Sequence, residues 1–298
     1  MANNFTIDPN CVALYNFESG ALVTDSIGTN TLTNSGVAED AANFKQGACA
    51  ADFESADSDC MYRADADLSA GFPLKNGAGN LEYSFAFWVK FESIAGTMSL
   101  VVKGSIARGV VLDISAAGVL TLFHFGSTWW DITTLVTGRW YHIGVSSDAV
   151  AGTAIARIWD DTGAVATSYS HTFPVALVDT SSTDFNVGAN YSRGSNFLDG
   201  LMDELVVFKD VKTVADFDLI REGNYGSILL AGTIAAVSTV QGNITGVSTL
   251  LEGTVSAVAS VSGYLAGGAV ALGAANCNAV SGAAGILTLV LGVLTAIP

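Results

Sequence analysis

The feature that most constrains this chain is an abrupt loss of charge after Tyr225. All 12 Lys and Arg residues lie before that point, and the 73 residues after it carry a single charge, Glu252. The tail is built from Gly, Ala, Val, Ser, Thr and Leu in units of roughly ten residues, opened by Gly232, Gly242, Gly253 and Gly263. Apolar residues fall three apart within each unit: Ile234, Val237, Val240; Ile244, Val247, Leu250; Val255, Val258, Val261. Such units bury their apolar side only by stacking or by meeting copies of themselves. The sequence therefore divides into a compact domain at 1–225, a repeat assembly segment at 226–267 and an apolar anchoring segment at 268–298.

Two structures suit the repeat. A heptad seam through Val237, Ile244, Leu251, Val258 and Leu265 would make a helical trimer, a coiled coil. An intertwined β-structure would use each Gly to turn a corner and fill a narrow axis with Val and Ile. The glycine opening every unit and the β-branched content favour the β form. Both predict self-association, with a homotrimer expected. The assembly residues would be Ile234, Val237, Ile244, Val247, Leu251, Val255, Val258 and Leu265. The stretch Ala279–Pro298 has no charge and the length of a membrane span. It lacks positive flanks, so burial along an oligomer axis or against a scaffold protein is expected instead.

The formal charge of −16 excludes a nucleic-acid partner, because little here would displace phosphate counterions. The first ten residues have no basic or apolar run of a cleaved secretory signal. Cys11, Cys49, Cys60 and Cys277 have no metal-ligand spacing. Free buried thiols are expected ahead of a Cys49–Cys60 bridge.

Up to residue 225 the pattern is short alternating apolar runs between Gly, Asn, Asp and Ser clusters. Strands are predicted at Val12–Phe17, Tyr83–Phe91, Leu100–Val102, Val110–Ile114, Val119–Phe125, Trp140–Ser147, Ala154–Trp159 and Leu201–Phe208. Phe85, Phe87 and Val89 should share one strand face, with Trp88 on the other, and Tyr141 and Ile143 should oppose Trp140 and His142. One short helix is predicted at Val214–Arg221, with Ala215, Leu219 and Ile220 on one face. Many strands and few helices predict an all-β, two-sheet antiparallel sandwich.

The ordered pieces CVALYNFESGALVTDSIGTNTLT, ACAADFESADSDCMYR, YSFAFWVKFES, GRWYHIGVS, IWDDTGAVA and FLDGLMDELVVF resemble the laminin-G-like, concanavalin A-like jelly-roll family. The resemblance covers about residues 8 to 225. It implies two packed antiparallel sheets that bind glycans or proteins, in some members with calcium. By that resemblance the calcium ligands would be Asp25 of LVTDSIGTN and Asp203 of GLMDEL, with Glu18 as a third. Six to eight oxygens are needed in all. The tail units resemble the decad repeats of bacteriophage tail-fibre and virion proteins.

Catalytic patterns are weak. Glycan hydrolysis needs two carboxyl groups facing across a cleft, and the E-x-D-x-E strand of the glucanase branch is missing. Asp52, Glu54, Asp57 and Asp59 are crowded but have loop character. His124, His142 and His171 fall in strand-like contexts, and no Gly-x-Ser-x-Gly elbow occurs. For a glycan ligand, Trp129 and Trp130 are adjacent, so one faces in and one out on a strand. Asn190, Tyr191, Arg193 and Asn196 form a polar loop. Whether both tryptophans are instead core or subunit contacts stays open.

The expectation is a non-enzymatic phage virion structural protein, a fibre or a capsid or tail decoration, on the virion exterior. Its partners would be its own copies, other virion proteins and cell-surface glycans, with calcium as the candidate cofactor. A bacterial cell-surface or extracellular-filament adhesin is the alternative, and a glycan hydrolase the lesser one.

Overall fold

A computed structural model describes residues 3–105, 108–124, 129–148, 150–173 and 182–226, and the backbone of ten short strands between 228 and 280. The chain forms two compact units, Pro9–Arg221 and Met1–Asp8 with Glu222–Pro298.

Among the described residues the larger unit contains fifteen strands. The first seven are β1 (Cys11–Tyr15), β2 (Thr33–Ser35), β3 (Ala38–Asp40), β4 (Ala50–Phe53), β5 (Cys60–Arg63), β6 (Glu82–Phe91) and β7 (Met98–Ser105). The rest are β8 (Arg108–Ile114), β9 (Val119–His124), β10 (Trp129–Thr134), β11 (Trp140–Asp148), β12 (Thr153–Asp160), β13 (Val165–Thr172), β14 (Phe185–Val187) and β15 (Gly200–Phe208). They make two antiparallel sheets. Sheet A runs β13-β12-β11-β6-β15-β4-β3, with β1 also on β15, and sheet B runs β10-β9-β8-β7-β14-β5-β2.

The alternation in the sequence explains the layering. In β6, Phe85, Phe87, Val89 and Phe91 enter the core between the sheets, while Trp88 packs on the opposite side against His142. Tyr141 and Ile143 of β11 enter the same core. Fully buried aromatics dominate it, among them Tyr15, Phe53, Phe72, Phe85, Phe87 and Phe185. Burying each such ring stabilises the fold by about 1.5–3 kcal/mol. Each of the eight predicted strand segments overlaps a strand of the structure, although β1 ends at Tyr15 rather than Phe17 and Phe125 lies outside the described residues.

Helix α1 (Val214–Arg221) has the predicted bounds but a different buried face. Phe217 and Ile220 are buried, whereas Ala215 is exposed and Leu219 is 37% exposed. The cause lies in β11, where a Cβ on Gly144 would stand 2.4 Å from the Phe217 ring. The absent side chain leaves the slot into which Phe217 docks. Thr213 and Asp216 cap the helix reciprocally through Thr213 N and Oγ1 to Asp216 Oδ2 and Asp216 N to Thr213 Oγ1.

Cys11, Cys49 and Cys60 are free and buried. Cys49 Sγ donates to the Phe17 carbonyl at 3.0 Å, and burial pushes its thiol pKa up to about 11. The Cys277 side chain lies outside the described residues.

In the smaller unit Phe5 packs on Tyr225, with ring centroids 5.4 Å apart, and Asn4 N donates to the Tyr225 carbonyl. Ten tail strands follow, from β16 (Ile228–Ala231) to β25 (Cys277–Val280). They pair in parallel: Ile228 faces Thr249, which faces Val270; Ile234 faces Val255; Val240 faces Val261; Ile244 faces Leu265. For these pairs the offset equals the step from Gly232 to Gly253, which is two of the glycine-opened units. Of the expected assembly residues, Val237 and Val247 lie outside the described residues. So do the side chains of Ile234, Ile244, Leu251, Val255, Val258 and Leu265, and all of 281–298.

Candidate ligand face and carboxylate sites

Sheet B sends every second residue outward, away from the core. In β8, Val110, Leu112 and Ile114 face the core, leaving Val111 and Asp113 outside. In β9, Leu120 and Leu122 face in, leaving Thr121 and Phe123; in β10, Trp130 and Ile132 face in, leaving Trp129 and Asp131. Asn186 lies between the core residues Phe185 and Val187 of β14. Cross-strand register then aligns Tyr62, Asn186, Val102, Val111, Phe123 and Trp129 in one row over six strands. At a strand spacing of about 4.8 Å the row is about 24 Å long. A second row holds Ser99, Asp113, Thr121 and Asp131.

The two ends of this face differ in chemistry. At the β10 end the Phe123 and Trp129 rings lie 4.8 Å apart, and Trp129 is 46% exposed. Toward the middle the floor is polar: Asp113 and Asn186 are buried, and Asp113 Oδ1 and Asn186 Oδ1 have no hydrogen-bond partner. Burial raises the Asp113 carboxyl to about pKa 6, against the opposing pull of Ser99, its cross-strand neighbour. At the β5 end the Arg193 guanidinium lies 4.0 Å over the Tyr62 ring and forms an ion pair with Asp184.

Trp129 and Arg193, both expected to contact ligand, thus lie at opposite ends of one face. Trp130 does not join them. It is a core residue, 8% exposed and stacked on His171 at 5.2 Å, because its neighbour Trp129 takes the outward position. Asn190 folds its own loop: its Oδ1 accepts from Ser192 N and Gly194 N, and its Nδ2 donates to Ser195 Oγ at 2.7 Å. Tyr191 is 37% exposed. Asn196 lines a separate cleft of about 230 Å³ with Ser55, Ser93, Thr97 and Asp199. Sequence reasoning missed Asp113, Phe123 and Asn186. The alternation V-V-L-D-I in β8 was the signal that could have placed Asp113 on an outer face.

Glu18 and Asp203 meet on the turn at 45–48. Asp203 Oδ2 accepts from Lys45 N and Gln46 N at 2.8 and 3.0 Å, and Glu18 Oε2 accepts from Ala48 N at 2.9 Å. The turn requires Gly47, since a Cβ there would stand 1.2 Å from Glu18 Oε1. Asp203 is fully buried and its Oδ1 has no partner. The next residue, Glu204, takes a left-handed backbone (φ 54) where the pairing of β15 with β6 shifts register. Burial lifts Asp203 to about pKa 7; burial, then Asp203 and Glu18, lift Glu204 to about 8.

Asp25 is no part of this group. Its Oδ1 accepts from Leu14 N, Ile27 N and Gly28 N, and its Oδ2 from Asn30 N and Asn30 Nδ2. Five donors saturate the carboxylate, so it closes a loop rather than offering oxygens to an ion. A third set, Asp52, Glu54 and Glu92, has ligand atoms within 4.8 Å of one another. Burial, then like charge, raises all three pKa values. Asp52 lies on β4, not in a loop as the sequence suggested.

The histidines are packing residues. His142 meets Trp88 edge-on at 5.1 Å, and burial holds its pKa near 3. His124 bonds the Tyr83 hydroxyl and stacks on Phe173.

The fold and this face define a lectin-like, two-sheet jelly roll. The chain belongs to the Concanavalin A-like lectin/glucanases superfamily, whose laminin-G-type family profile matches residues 66–216. Among solved structures it is similar to domain 4 of AbnA, a GH43 extracellular arabinanase from Geobacillus stearothermophilus, solved in complex with arabinotriose. That match has a TM-score of 0.51 and 19% identity, and covers 71% of this chain and 98% of that one. The botulinum neurotoxin serotype G binding domain matches at a TM-score of 0.49 and 12% identity, over 72% of this chain and 51% of its own. No curated protein sequence matches the chain.

Proposed function

We propose that the chain is a non-enzymatic virion structural protein that binds glycan on the outer face of sheet B and assembles as a homotrimer through its tail. The observation that carries the binding reading is the buried, unpartnered Asn186 Oδ1 in the same row as exposed Trp129, with the unpartnered Asp113 Oδ1 in the neighbouring row. A buried polar atom without a partner costs about 1–3 kcal/mol, which ligand hydroxyls or water would return. An exposed indole at the end of the same face offers a stacking surface for a sugar ring.

The ligand class is an uncharged oligosaccharide. Asp113 and Asp131 disfavour anionic sugars, and Arg193, the cation over the β5 end of the face, is already paired with Asp184. The arabinanase domain, solved with arabinotriose, is a precedent for a sugar on this fold. The almost uncharged repeat tail supports assembly and the virion reading, since such a segment needs copies or a docking surface to cover it. A glycan array probed with the full chain tests the binding. Neutral oligosaccharides should bind the wild type and bind Trp129→Ala roughly 30-fold more weakly, and an empty array would defeat the reading.

Calcium at Glu18 and Asp203 would answer the buried Asp203 oxygen that lacks a partner, whereas the carboxylate trio with ligand atoms within 4.8 Å of one another is Asp52, Glu54 and Glu92. Bound at Glu18 and Asp203, the ion would neutralise their charge and pin the 45–48 turn. Calcium should raise the melting temperature of wild type but not of Asp203→Asn.

One observation favours hydrolysis as a second reading. Asp113 and Asp131 lie in one row with only Thr121 between them, about 10 Å apart at two strand spacings, near the separation inverting glycosidases use. Asp113 is only 4% exposed, which keeps this reading second. Release of reducing ends from a bound oligosaccharide, lost in Asp131→Asn, would promote it.

A further inference from the structure

We propose that Lys103 and Asp65 join in an intramolecular isopeptide bond, a self-formed cross-link between β7 and the short turn at Asp65–Asp67. Lys103 Nζ lies 2.8 Å from Asp65 Oδ1, and the two residues are 38 positions apart in the sequence. Lys103 is 1% exposed and Asp65 7%. In register Lys103 stands between Val110 and Phe185, both core residues, so the pair meets against the core rather than in water. Two other lysine–aspartate pairs differ. In Lys45–Asp161 and Lys212–Asp210 the aspartate side chain is 41% and 27% exposed.

Amide formation at such a pair needs a neutral amine, a polarised carboxyl group and a contact that the fold holds in place. Burial favours the first: it lowers the Lys103 pKa, against the opposing pull of the hydrogen bond to Asp65. Asn76 N donates to Asp65 Oδ1 at 3.1 Å, a donor set where negative charge develops when an amine adds to the carboxyl carbon. The contact is held from one segment. The Thr183 carbonyl accepts from Lys103 Nζ at 2.9 Å, and Asp184 Oδ1 accepts from Asp65 N at 3.3 Å. Thr183 and Asp184 are therefore positioning residues for the two reactants.

The step balances without a co-reactant. A proton passes from Nζ to the Asp65 carboxyl along their hydrogen bond, the neutral Nζ adds to Cγ, and one Cγ–Oδ bond breaks. Two of the three Nζ hydrogens depart with that oxygen as water. An uncharged amide then replaces two buried charges, which removes the desolvation cost of a buried ion pair. The bond closes the chain from Asp65 to Lys103 and limits the unfolded state as a disulfide does. Cys11, Cys49 and Cys60 are free, so they supply no such staple. The cross-link is independent of the glycan face.

Mass spectrometry of the purified full chain tests this. The intact wild type should be one water lighter than its sequence, whereas Lys103→Arg should have the full mass of its own sequence. Trypsin does not cut after an acylated lysine, so the wild-type digest should contain fragment 64–75 joined to fragment 91–108. A wild-type mass equal to that of the sequence, with 64–75 and 91–103 released as separate peptides, would overturn the proposal. A missing water that persists in Lys103→Arg would overturn it equally, since it would place the dehydration elsewhere, as in an aspartyl succinimide.

Discussion

The outer faces of the two sheets arise from the same alternation of residues and end in different chemical states. On sheet A, Phe217 of α1 fills the slot at Gly144, Lys45 lies 4.5 Å over Trp88, and Arg221 lies 4.0 Å over Trp159. Arg157 is held by both oxygens of Asp218. Segments of the same chain thus cover most of that face, and it works as a second, half-polar core. On sheet B, Trp129 is 46% exposed while Val102, Val111, Phe123, Asp113 and Asn186 of the same face are buried. Both faces keep buried oxygens without partners, Asp113 and Asn186 on sheet B and Asp52 and Asp203 on sheet A. The faces therefore differ most at Trp129, whose exposed indole offers a ligand a surface that covered aromatics such as Trp88 do not.

That contrast can be broken first on the covered side. Phe217→Ala should cost about 3–5 kcal/mol of stability, because it empties a fully buried ring site, and should leave glycan affinity unchanged. Denaturant melts and binding isotherms on one preparation check both halves. The adjacent tryptophans give the next contrast. Trp130→Ala should destabilise by a similar 3–5 kcal/mol. Trp129→Ala should leave the melting temperature alone and weaken glycan binding by about 2 kcal/mol, roughly 30-fold.

A smaller effect is expected at the floor. Asn186→Leu removes an unpartnered oxygen, so stability should hold or rise by up to about 1 kcal/mol while binding falls about ten-fold. Loss of stability with binding intact would mean that the floor is ordinary core.

A further comparison concerns pH. Asp113, Asp203 and Glu204 have folded pKa values raised from 3.8, 3.8 and 4.5 to about 6, 7 and 8. The folded state therefore holds more protons than the unfolded chain between about pH 4 and 8. Stability from these groups falls as pH rises through that window and levels off above it. Asp203→Asn should flatten the upper part of the fall. Calcium competes with those protons, so its stabilisation should grow from pH 6 to 8. His124 and His142, lowered to about 3, act with opposite sign, and their contribution is lost as pH falls below about 6.5.

Much of the jelly roll could be read from period-two runs such as Tyr83–Phe91, because burying both sheets' inner faces forces that pattern into the sequence. Short or polar strands such as β2, β3 and β13 carry too few apolar residues to signal themselves. The candidate face was half legible. Alternation predicted that only one of Trp129 and Trp130 could point outward, but not which one. Asn186 became a candidate only once the register placed it in line with Trp129, and Asp113 once it fell in the row beside. Asp25 became a ligand candidate through the family resemblance, which cannot count hydrogen bonds, and five backbone and amide donors had already claimed it.

Backbone hydrogen exchange of the full chain, with and without a saturating neutral oligosaccharide taken from the array, tests the ligand face most directly. The account predicts slower exchange in β7, β8, β9, β10 and β14, centred on Val102, Val111 and Asn186, with sheet A unchanged. Protection confined to the 40–48 turn and α1, with sheet B unaffected, would contradict it.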